Sequence, residues 1–142
     1  MKKEIVVHVI GTIKQKGEEE DTIEVYTTGT YYEKEGCLYL LYEEDMGEPY
    51  GIVKNTVKIK EEPLQITVSK KGITNSRMVF EVGQKNQSYY QTPFGGMSLS
   101  TNTKDVIVEM DENALKVNID YEIEVDFEVL SQNKIIIEGS FR

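Results

Sequence analysis

The sequence predicts one all-β domain over residues 1–142, a single antiparallel up-and-down (meander) barrel of about eight strands. Two observations predict it. Apolar and polar residues alternate with period two through most of the chain, which places successive side chains on opposite faces of a strand. Short segments rich in Gly, Asn, Asp and Pro separate these runs, as hairpins require. A meander of that many strands removes its exposed edges by closing on itself.

The clearest alternation runs from Leu115 to Val129. Leu115, Val117, Ile119, Tyr121, Ile123, Val125, Phe127 and Val129 share one face, and Lys116, Asn118, Asp120, Glu122, Glu124, Asp126 and Glu128 share the other. A helical period of 3.6 would scatter both sets around the axis. Ile5, Val7, Val9 and Ile13 form the inward set of the first strand; Ile23, Val25, Thr27 and Tyr31 form that of the second. Shorter runs follow at 37–42, 57–60, 64–69, 78–82 and 87–92. After Met97, Leu99, Thr101 and Thr103, the inward parity switches to Val106, Val108 and Met110, which implies a bulge near Lys104-Asp105. Ile135, Ile137 and Phe141 close the chain, after an expected connection at Ser131-Gln132-Asn133. Asp45 to Asn55 is the least regular stretch and reads as a loop.

Charge narrows the partners. The chain carries 16 Lys and Arg against 25 Asp and Glu, a formal net charge of −9. Nucleic-acid affinity rests largely on cations that neutralise phosphates. The Lys58/Lys60 and Lys70/Lys71 pairs are short and flanked by carboxylates, so neither nucleic acid nor an anionic membrane is expected as a partner. No apolar run approaches membrane-span length, and the N-terminus lacks a signal-peptide core, so the expected location is cytoplasmic. A lone Cys37 makes no internal disulfide and excludes multi-cysteine zinc patterns.

Catalytic chemistry is thinly represented. His8 is the sole histidine; it would act as a base only beside a carboxylate in a barrel mouth. Cys37 has no visible neighbour to lower its pKa and reads as a small half-buried hydrophobe. The run Glu18-Glu19-Glu20-Asp21 lacks the spacing of a calcium loop and reads as a solvated hairpin tip. Gly95-Gly96 leads into a strand, with no helix to hold a phosphate, and reads as a turn. No metal, cofactor or catalytic set is expected.

The feature that points to function is polarity on inward faces. Thr27, Tyr31, Asn55, Lys70, Tyr90, Thr101, Thr103 and Tyr121 all fall on the apolar parity of their strands. Such residues either meet solvent near strand ends or line a pocket in the lumen. The expectation is a non-enzymatic small-molecule binding module. Tyr31, Tyr90, Thr101 and Tyr121 would form its walls, and Lys70 the counter-charge for an anionic or carbonyl-bearing ligand. The alternative is a structural or interaction module using the acidic outer face around Glu122, Glu124 and Asp126. The outward parity of the first and last strands also brings Val6, Ile10 and Ile136 together. That predicts a homodimer across this seam, with His8 near the interface.

Several ordered patterns resemble one family. They are Thr28-Gly29 with Glu33-Lys34, Tyr39-Leu40-Leu41-Tyr42-Glu43-Glu44, Lys71-Gly72, Met78-Val79-Phe80, Tyr90-Gln91-Thr92-Pro93-Phe94-Gly95 leading to Thr101-Asn102-Thr103, and Asp120-Tyr121-Glu122-Ile123. Together they resemble the YwiB-type family of uncharacterised bacterial β-barrel proteins, which is grouped with the calycins and lipocalins. The resemblance implies a lipocalin-like meander barrel and supplies no activity. Where many members carry an arginine before the turn at Gly72, this chain has Ser69-Lys70-Lys71.

Overall fold

A computed structural model describes residues 2–142. Ten strands follow one another: β1 (Lys3–Gln15), β2 (Asp21–Lys34), β3 (Cys37–Asp45), β4 (Ile52–Lys60), β5 (Gln65–Lys71), β6 (Asn75–Phe80), β7 (Lys85–Thr92), β8 (Gly95–Met110), β9 (Ala114–Val125) and β10 (Glu128–Phe141). Each pairs antiparallel with its sequence neighbours, and β10 returns to β1 to close the barrel. The meander and its closure agree with the sequence; the strand number does not, being ten rather than about eight. Each short apolar run of the middle third becomes a strand of its own, even β6, which pairs only Asn75, Ser76 and Arg77 with β7.

Two further expectations are corrected. The alternation from Leu115 to Val129 is two strands, because Asp126 and Phe127 both have positive φ and make a two-residue turn between Val125 and Glu128. Phe127 is 97% exposed, although its parity reads inward. The expected connection at 131–133 therefore lies within β10, whose bulge falls between Val129 and Ser131. The stretch from Asp45 to Asn55 is also more regular than its composition suggests. Only the segment between Asp45 and Ile52 is loop, and Tyr42, Glu43 and Glu44 pair with Asn55, Lys54 and Val53. The bulge expected near Lys104-Asp105 is present, as a register shift between Thr103 and Asp105.

The inward faces pack into one core. Ile5, Val7, Leu40, Val57, Ile59, Ile66, Phe80, Leu115, Val117, Ile119 and Ile137 are all essentially inaccessible. Gly29 shows how tightly β2 meets β3: a Cβ there would stand 2.4 Å from the Leu41 carbonyl oxygen. The wall offers no room for a side chain at that point.

Candidate functional site

The register of β2 to β7 decides which side chains share the outer wall. Thr30 lies opposite Leu41, Leu41 opposite Thr56, Thr56 opposite Ser69, Ser69 opposite Arg77, and Arg77 opposite Tyr89. This forms one continuous outward row across six strands. The next outward row, one pleat along, pairs Glu43 with Lys54 and Lys54 with Lys71. Between these rows the wall is concave, and a trough of about 930 Å³ runs over it. Thr28, Thr30, Leu41, Thr56, Ser69 and Tyr89 give it hydroxyls and one aliphatic surface, and its charge comes from Lys54, Lys71 and Arg77, with Lys70 and the single carboxylate Glu43 also in its lining.

Lys54, Lys71 and Arg77 are exposed. None of them forms an ion pair or side-chain hydrogen bond among the described residues. Glu43 sits opposite Lys54 but does not close to ion-pair distance. The acidic wall on the other side differs. Glu122 meets the Lys104 ammonium at 3.3 Å and accepts from Asn102, Glu124 meets Lys85 at 3.1 Å, and Asp120 meets Lys134 at 3.9 Å. Glu124 is also buried, not solvated as its parity suggests, and lines a smaller cavity of about 220 Å³ with Phe127.

The residues singled out by sequence fall into two groups. Lys70 and Tyr90 share one inward row, since Asn55 pairs with Lys70, Lys70 with Ser76, and Ser76 with Tyr90. The Lys70 ammonium is already engaged at 2.8 Å by the Glu44 carboxylate. Tyr31, Thr101 and Tyr121 are buried elsewhere in the packed interior. The Tyr31 hydroxyl donates to Glu33 at 2.9 Å, and the Thr101 hydroxyl to the carbonyls of Val79 at 3.0 Å and Asn86 at 3.3 Å. Tyr121 packs edge-on to Phe80. Burial pushes the Tyr121 phenol up to about 12, and burial followed by the Glu33 contact raises Tyr31 well above the usual tyrosine range. Tyr42, in the same row as Asn55 and Lys70, is raised in the same way by burial and then by Glu44.

His8 does stand beside a carboxylate, 3.0 Å from Glu24, but on the outer wall, where its ring stacks on Tyr26. Among the described residues no cluster of His, Cys, Asp and Glu is arranged to hold a metal ion. No helix among them is long and apolar enough to cross a membrane.

A comparison with known families settles kinship. Residues 7–137 match the family described as a domain of unknown function, DUF1934. The chain belongs to the DUF1934 family. The chain is also similar to the uncharacterized beta-barrel protein YwiB of Bacillus subtilis (strain 168), 34% identical over 143 residues, covering 98% of this chain and 97% of that protein. The crystal structure of that Bacillus subtilis protein superimposes with a TM-score of 0.85 at 28% identity, over 99% of this chain and 93% of the other. The resemblance read from the sequence is thereby shown, and the closed barrel is a property shared with that relative.

Proposed function

We propose that this protein is a non-enzymatic binding module that takes an anionic ligand in the trough on its outer wall. The observation that supports this is a contrast in compensation. In a chain of net charge −9, the carboxylates Asp120, Glu122 and Glu124 each have an ammonium partner, whereas Lys54, Lys71 and Arg77 have none. Cations gathered without partners in a concave surface that also carries hydroxyls suit an anion better than they suit the fold. The lipocalin-like kinship implied by the sequence agrees with a binding role, and so does a cytoplasmic location for a chain with one free cysteine. In this reading the small-molecule site lies on the outer wall rather than inside the barrel, and Lys70, which also lines the trough, is already paired with Glu44. The alternative use of the acidic face is less favoured, since Glu122 and Glu124 are already paired and Asp126 alone of the three lacks an ammonium partner among the described residues.

Thermal denaturation with inorganic tripolyphosphate at low salt tests the proposal. Saturation to about a hundred times the dissociation constant stabilises a folded protein by about 2.7 kcal/mol. A clear rise in Tm is expected, and it disappears in the double variant Lys54→Glu, Arg77→Glu. An equal rise in the variant and the parent would remove the trough from consideration.

A further inference from the structure

The trough is one part of a larger cationic surface. One pleat beyond the row that holds Arg77, the register sets Tyr32, Tyr39, Lys58, Thr67 and Val79 opposite one another across β2 to β6, of which Thr67 and Val79 are buried. The rings of Tyr32 and Tyr39 stack 4.8 Å apart, and the Lys58 ammonium lies 5.9 Å from the Tyr39 centroid. Lys54 and Lys58 therefore lie on one strand, with Thr56 between them. Successive outward positions on a strand are about 6.6 Å apart, so the rows set cations and hydroxyls at intervals suited to the phosphates of an extended strand. At the other margin of the trough Tyr89 is 55% exposed and lies against Gly96, where a Cβ would collide with its ring. The glycine lets that phenol lie close against β8 while about half of the residue stays exposed.

We propose that this wall binds single-stranded nucleic acid, with phosphates on Lys54, Lys58, Lys71 and Arg77 and a base stacked on Tyr89. The inference rests on the trough reading above and extends it. Arg, Lys and Ser/Thr side chains are the groups that hold phosphate oxygens, and exposed aromatic rings take bases regardless of sequence. An acidic protein partner fits less well. A protein interface needs an apolar centre, and the two outward rows of the trough offer only Leu41 and Tyr89. The net charge of −9 does not forbid the contact. A local cationic stripe holds phosphate on an acidic protein, and in these rows Lys54, Lys58, Lys71 and Arg77 face one carboxylate, Glu43.

The test is fluorescence anisotropy of the full chain with labelled single-stranded oligonucleotides of increasing length, alongside a duplex. Affinity is expected to rise with length beyond a mononucleotide. The slope of log affinity against log salt is expected near −3, from about −0.7 for each of the four phosphates neutralised. Tyr89→Ala, whose fold is checked by circular dichroism, is expected to weaken oligonucleotide binding roughly fivefold or more. Lys58→Glu, which lies outside the trough, is expected to weaken oligonucleotide binding and to leave the tripolyphosphate response intact. If tripolyphosphate binds but oligonucleotides bind no better than a mononucleotide, or if Tyr89→Ala has no effect, the nucleic-acid inference is overturned and the anion-binding reading stands. Duplex bound as tightly as single strand overturns it too. So does self-association that Lys58→Glu abolishes and oligonucleotide fails to displace. If neither probe binds, both readings fall.

Discussion

Tyr31 and Tyr121 show how side-chain parity alone leaves open what a polar residue does. Their inward parity was legible, and a lumen wall was the natural reading, yet burial among aliphatic side chains makes them core residues with phenols held neutral. What parity does not reveal is the cross-strand partner of a polar group: Glu44 on Lys70, the Val79 carbonyl under Thr101. Those contacts depend on strand register, whereas Glu33 lies two residues from Tyr31 on the same face of β2. The raised phenols have a measurable consequence. An unfolded tyrosine ionises near 10, whereas folded Tyr121 holds its proton to about 12. Between these values the folded state binds more protons than the unfolded one, so stability falls as pH rises through this window. The stabilisation is complete below pH about 10. Chemical denaturation from pH 9 to 12 is therefore expected to show a steep alkaline loss of stability. In Tyr121→Phe the slope should be shallower, and an unchanged slope would contradict a buried neutral phenol.

At the scale of elements, the hairpins divide into those with a turn signal and those without one. Glu35 and Gly36 have φ of 53° and 78°, and the glycine marks that turn in the sequence. Asp126 and Phe127 adopt the same kind of turn at 52° and 67°, but a phenylalanine at the second position continues the alternation and hides it. This is why the sequence places the connection between β9 and β10 at 131–133 rather than at Asp126-Phe127. A non-glycine residue at positive φ costs about 1 kcal/mol or more, and Phe127 at 97% exposed recovers almost nothing through burial. Phe127→Gly is accordingly expected to stabilise the protein by about 1 kcal/mol and raise Tm by about 3 °C. A fall in Tm on this change would mean that the ring makes a stabilising contact over the cavity beside Glu124.

Across the whole molecule, the closed meander was legible because alternation is a local property, whereas the charged wall was not. Lys54, Lys71 and Arg77 lie on three strands, and no run of the sequence brings them together; only the β4–β5–β6 register does. The expectation against nucleic acid rests on lysine pairs read along the chain, a direction in which cations gathered by register do not show. The register also bears on self-association. Ile10 lies directly opposite Ile136 at the β1–β10 junction, and Asn118 carries that outward row on to Ile107, which is 44% exposed. Val6 sits along the same strand opposite Thr28, at the edge of the trough. A two-fold axis over this seam would pair each apolar row with its copy. It would also set the two troughs side by side, and keep the His8–Tyr26 stack at the margin. Because the contact would be apolar, it should persist at salt concentrations that weaken anion binding. Light scattering after size exclusion is expected to give twice the chain mass at both low and high salt, and one chain mass for Ile10→Glu. A single chain mass for the parent protein would rule the seam out as an interface, and a dimer that dissociates with salt would point to the charged walls instead.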